Sequence, residues 1–147
     1  MLDIITSFAT ATAVLVAAWQ IRESRKYSVT AFEDSLDKQY REIIMQIPVD
    51  ALIGKNITPK DHAYARENVF NYLDLCNEQI YLRRKKRISK SRWVDWNEGI
   101  KGNLQKPIFQ EVWAEVKKEA PGEFTDLTKL ENNSFDSDPA QWKKSRS

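Results

Sequence analysis

The densest chemical feature of this chain is a run of cations: Arg83, Arg84, Lys85, Lys86, Arg87, Lys90 and Arg92 put seven positive charges within ten residues. The formal net charge of only +2 hides the local field that such a density creates. Cations at a helix C-terminus offset the helix dipole, but seven exceed what that requires. Three chemistries compete for the run. It can be a solvated connection, partly paired with the acidic stretch from Glu111 to Glu131. It can attract anionic lipid head groups, at about 1 kcal/mol per basic residue near a membrane. It can also contact an acidic protein or a nucleic acid. Trp93 and Trp96 follow closely and could stack on bases. Their helical spacing with Ile100 favours a packed seam instead.

The catalytic inventory is thin. His62 is the one histidine and Cys76 the one cysteine, so a Cys–His pair would need these two together. They fall on one predicted helix, fourteen residues and about 21 Å apart, far beyond hydrogen-bond reach. Cys76 therefore reads as a small apolar core residue, and His62 as a solvent-facing side chain in a first helical turn. A lone histidine cannot supply the paired Glu-x-x-His motifs of a di-iron bundle. Phosphate-loop, nucleophile-elbow and calcium-loop motifs are all missing from the sequence. Asp74 and Glu78 lie one helical turn apart, a spacing common among surface carboxylates, with Arg83 or Arg84 near enough to neutralise Glu78. The polar trio Asn77, Glu78 and Gln79 sits in an otherwise apolar stretch and reads as hydrogen bonds between helices. No enzyme activity, cofactor or metal site is expected.

The elements that position these residues are helical. Four Gly and five Pro in 147 residues leave few turns, and one cysteine rules out an internal disulfide. Phe32, Leu36, Tyr40, Ile43 and Ile47 form one stripe at steps of four and three, ended by Pro48. A short turn around Val49 to Ile53 closes at Gly54. Thr58, Pro59 and Asp61 read as N-cap, first-turn proline and capping carboxylate of a helix reaching about Lys86. Its seam is Val69, Leu73, Cys76 and Ile80. Ser89 or Ser91 caps the next helix, with Trp93, Trp96, Ile100 and Leu104 inward. Pro107 opens another with Ile108, Phe109, Val112, Trp113 and Val116 inside. Phe124, Leu127 and Leu130 mark a last short helix after Pro121-Gly122.

The opening differs in kind. Ile4 to Ile21 carries no charge over 18 residues. As a helix it spans roughly 27 Å, just short of a hydrocarbon core. Ile4, Ile5, Phe8, Val14, Leu15 and Val16 supply the apolar surface, and Trp19 falls near one interface. Arg22, Arg25 and Lys26 follow, which places the body on the cytoplasmic side. Ala9, Ala13 and Ala17 form a small-residue stripe that would let two such helices approach closely. The competing reading is a helix buried in a soluble bundle, because the run also holds Thr, Ser and Gln. A cleaved signal peptide fits less well, since Asp3 stands where a basic start belongs.

The expectation is an all-α protein: an N-terminal transmembrane helix continuing into a bundle of about four or five helices. Residues 1–21 are read as a transmembrane anchor, 22–131 as a cytoplasmic helical domain and 132–147 as a flexible tail. The run FNYLDLCNEQIYLRRKKRIS from Phe70 to Ser89, with Trp93-x-x-Trp96, Gly99-Ile100 and Pro107-x-Phe109-x-x-x-Trp113, resembles small uncharacterised bacterial membrane-anchored proteins. The resemblance implies one N-terminal span before a helical domain and assigns no residue a role. The functional expectation is a single-pass inner-membrane interaction or regulatory protein. It would bind a protein partner, anionic lipid or a second copy of itself. The alternative is a soluble or peripheral nucleic-acid binder using the same basic loop.

Overall fold

The computed structural model describes residues 2–143, with side chains from Thr12 onward. Among them the chain is all helical. It runs through α1 (Leu2–Ile44), α2 (Val49–Leu52), α3 (Pro59–Arg84), α4 (Lys90–Asn103), α5 (Pro107–Glu119), α6 (Thr125–Asn132) and a 3-10 turn, Pro139–Gln141. Two compact units result, Met1–Asp34 and Ser35–Ser147, and the division falls within α1.

The second unit is built around α3, on which α5, α6 and the 3-10 turn pack. The predicted seam is its axis: Val69, Leu73, Cys76 and Ile80 are each 0% exposed. Burying an aliphatic side chain of this size stabilises the fold by about 1.5–3 kcal/mol. From α5 come Ile108, Phe109, Val112, Trp113 and Val116, all buried, and from α6 Leu127 and Leu130. Trp93 and Ile100 of α4 and Leu36 and Ile47 from around the end of α1 complete the core. Tyr72 sits where three of these layers meet. Its ring lies 5.3 Å from Phe109 edge-on and 6.2 Å from Tyr40. Burial pushes its phenol well above the ordinary tyrosine range.

The predicted start signals operate with one change. Pro59 and Pro107 occupy the first turns of α3 and α5, and the Ser89 hydroxyl accepts the Arg92 N–H at 3.3 Å to cap α4. Thr58, however, caps no backbone group: its hydroxyl donates to the Asp61 carboxylate at 2.8 Å. Gly54 takes φ +80, the left-handed conformation that ends the short α2 turn.

Two further expectations meet a different structure. The segment read as a tail from Asn132 folds back as far as Trp142. Pro139 is buried, Asp138 caps the 3-10 turn at Ala140, and the Trp142 indole donates to Ser137 at 3.0 Å. The last four residues of the expected tail, 144–147, lie outside the described residues. As for the opening, no helix among the described residues is long and apolar enough to cross a membrane. The side chains of Ile4, Ile5, Phe8 and Ala9 lie outside those described.

Candidate interaction surface

The basic run turns the chain from α3 into α4, and its backbone geometry follows from how α3 ends. Lys86 adopts φ +58, and its N–H donates to the Arg83 carbonyl at 2.9 Å. The next N–H, that of Arg87, donates to the Leu82 carbonyl at 3.0 Å. These two bonds are a Schellman closure, a position that glycine normally fills because a Cβ is disfavoured there. Ile88, only 2% exposed, then pins the turn to the core, and Ser89 caps α4.

The seven cations separate into two groups. Arg83 is buried and forks onto Asp138, with Nε to Oδ1 at 2.8 Å and Nη2 to Oδ2 at 2.6 Å. Its Nη1 donates to the Ile88 carbonyl at 2.7 Å, so one side chain ties the turn to the C-terminal segment. The guanidinium in turn holds the Asp138 carboxyl below the ordinary carboxylate range. Arg84 pairs with Asp126 at 3.0 Å and lies 5.2 Å from the Tyr81 ring centre. Arg92 pairs with Asp37 at 2.8 Å, while the other Asp37 oxygen accepts the Trp96 indole N–H at 2.8 Å. These three arginines are ion-paired within the body, Arg83 buried, Arg92 half-buried and Arg84 exposed. Lys85, Lys86, Arg87 and Lys90 are exposed. Among the described residues Lys85, Lys86 and Lys90 make no ion pair, although Lys85 lies 5.4 Å from the Tyr81 ring centre. Free lysines on a tight turn are point charges that attract carboxylate or phosphate without a fixed geometry.

The partners of the fixed arginines were missed in the sequence. Of Asp37, Asp126 and Asp138, only Asp126 lies in the acidic stretch from Glu111 to Glu131 expected to pair with the run. Arg83 and Arg84 turn away from Glu78 to these aspartates. A readable signal existed for Asp138: Asp-Pro-Ala is an N-cap followed by a first-turn proline, which argues for order where a tail is expected. No comparable local signal marks Asp37, whose partners lie 55 and 59 residues away.

The remaining candidates are structural. Cys76 is fully buried and its thiol is pushed up to about 12, which suits a core residue and not a nucleophile. His62 lies 3.0 Å from the Glu111 carboxylate on a partly exposed face between α3 and α5. Asp74 and Glu78 are exposed. Of the expected polar cross-links, Asn77 makes one, its Oδ1 accepting the Asp126 and Leu127 N–H groups at 3.1 Å each. Among the described residues no group able to hold a metal ion is assembled.

The first unit presents a different surface. From Thr12 to Gln20 every side chain is exposed, including Ala13 and Ala17 of the small-residue stripe. Val14, Leu15, Val16 and Trp19 are 62%, 71%, 47% and 63% exposed. Three consecutive aliphatic residues on a helix point to three sides, so this segment is apolar around much of its circumference and not along one stripe. Compared with protein-family models, with curated proteins and with solved structures, the chain matches none.

Proposed function

We propose that this protein is a non-enzymatic interaction module held at the cytoplasmic face of the inner membrane by the opening of α1, whose helical body captures an anionic partner through the turn between α3 and α4. The observation that carries this reading is the exposed apolar surface of Val14, Leu15, Val16, Trp19 and Ile21, followed at once by Arg22, Arg25 and Lys26. A contiguous apolar surface of this kind in water calls for an apolar cover, and basic residues beside it favour the anionic cytoplasmic leaflet. Lipid supplies both. The exposed Lys85, Lys86 and Lys90 give the body a second anionic contact, with a protein or with lipid. Nucleic acid fits less well, because Trp93, one of the two tryptophans available for stacking, is buried in the core.

Fractionation tests the reading. Full-length protein should sediment with membranes and resist a carbonate wash, whereas a version beginning at Arg22 should be released. Release of the full-length chain by carbonate removes the anchor. The turn is tested separately by changing Lys85, Lys86 and Lys90 to Gln while leaving Arg83, Arg84 and Arg92, which hold the fold. Weaker capture of anionic vesicles or of an acidic partner, with unchanged thermal unfolding, supports the turn's role; unchanged capture ends it.

A further inference from the structure

Within the Ser35–Ser147 unit, a cavity of about 160 Å³ opens between the last turns of α1 and helices α3 and α4. Its volume is close to the roughly 150 Å³ that holds one benzene-sized molecule. Three rings line it, Tyr40, Tyr72 and Trp96. Tyr40 and Tyr72 are inclined at 59°, and Trp96 is held by its indole bond to Asp37. Two carboxylates, Asp37 and Asp95, share the lining. Arg92 balances Asp37, and among the described residues Asp95 has no cationic partner. The amide of Gln79 also lines the cavity. Gln79 is 4% exposed, yet among the described residues its side chain makes no hydrogen bond. Its amide atoms are not among the buried polar atoms left without a partner, so they reach the solvent of the cavity and can bond a guest there.

Gly99 stands in the wall of the same cavity. It lies inside α4, where glycine costs about 1 kcal/mol relative to alanine. A Cβ there would meet nothing within 4 Å, so helix packing does not demand glycine. Gly99 lines this cavity, and a side chain there would narrow it.

Aromatic rings around a compact space attract cations through their faces, most strongly cations whose charge is wrapped in methyl groups. A bare ammonium would have to shed a tight hydration shell. A purely apolar guest would take the Gln79 amide out of water with no hydrogen bond in return. We propose that this cavity is a binding site for a small methylated ammonium bearing a hydroxyl group, choline-like in its chemistry: the rings and Asp95 take the cation, and Gln79 hydrogen-bonds the hydroxyl.

The test uses full-length protein in maltoside micelles, because phosphocholine detergents carry the proposed ligand group. Choline, tetramethylammonium and 3,3-dimethylbutan-1-ol are titrated by saturation-transfer NMR. Choline should bind saturably, and the neutral isostere about tenfold more weakly or worse. The exposed change Asp95→Asn should weaken choline about fivefold. Gly99→Leu should abolish binding without lowering the unfolding temperature, and Gln79→Met should reduce choline to the level of tetramethylammonium. Displacement of choline by phosphatidylcholine vesicles identifies a lipid headgroup as the natural source. Its failure identifies a free solute, and either result supports the ammonium site. Absence of saturable choline binding, equal binding of the neutral alcohol, or full binding by the Gly99→Leu variant overturns the proposal.

Discussion

Two residues in the basic run show how one sequence feature serves opposite ends. Lys86 holds a left-handed position that costs a non-glycine residue about 1 kcal/mol, and its side chain is exposed. Lys86→Gly should therefore raise the unfolding free energy by about 0.5–1 kcal/mol, read as a higher urea midpoint at unchanged slope. The same change should weaken capture of an anionic partner if Lys86 serves that purpose. Arg83, three residues earlier, is structural. Its fork onto Asp138 depresses that carboxyl's pKa, so the pair stabilises the fold above the unfolded carboxylate pKa of about 3.9 and is lost as pH falls through the lower folded value. Asp138→Asn should cost about 2 kcal/mol at pH 7, because Arg83 is left buried without its counterion. The variant should also lose less further stability between pH 4 and pH 2 than the parent does. An equal acid loss in both proteins, followed by denaturant titration at each pH, would place the acid sensitivity elsewhere.

At the scale of elements, the clearest device is the capping of one helix by another. The first N–H groups of α6 have no side-chain cap of their own, since Phe124 stands at its N-cap. Asn77 reaches from the middle of α3 and accepts two of them. Asn77→Ala should then cost about 1–2 kcal/mol, with faster hydrogen exchange at Asp126 and Leu127 than elsewhere in the body. Exchange accelerated uniformly over the whole domain would count against a local cap. The helices themselves were legible in the sequence because their signals are local. Pro59, Pro107 and Ser89 mark starts, and the spacings of Val69, Leu73, Cys76 and Ile80 and of Ile108 to Val116 mark buried faces. The partners of the basic residues were not legible, because Asp37, Asp126 and Asp138 lie 42 to 55 residues from the arginines they hold. Nothing in a period of 3.6 residues encodes such a pairing. The C-terminal segment was misread for a related reason: Pro139 and Trp142 have no repeating neighbours, so a docked irregular segment resembles a solvated one. The aromatic-walled cavity was hidden as well, since Tyr40, Tyr72 and Trp96 come from three helices, and each alone reads as an ordinary seam residue.

At the scale of the molecule, the division between units predicts where the chain can be cut. The boundary falls after Asp34, inside α1, so the last turns of that helix belong to the body. Leu36 and Ile47 are each 3% exposed, the Tyr40 ring lies 6.2 Å from that of Tyr72, and Asp37 bonds both Arg92 and Trp96. A version starting at Ser35 keeps all of these contacts and should unfold cooperatively. A version starting at Val49 loses two buried aliphatic side chains, at about 1.5–3 kcal/mol each, together with the counterion of Arg92. That sum approaches the whole 5–15 kcal/mol available to a domain of this size, so the shorter version should be largely unfolded at 37 °C. Circular dichroism melts of the two truncations decide the matter, and the contrast between them is informative. If both melt alike, the stripe from Leu36 to Ile47 is a stalk and not part of the core. If only the shorter one fails, the body folds without residues 1–34, and those residues are left for a task that folding does not explain. Membrane attachment is that task in the function proposed here, so the Ser35 version should be well folded and, at the same time, absent from the membrane fraction.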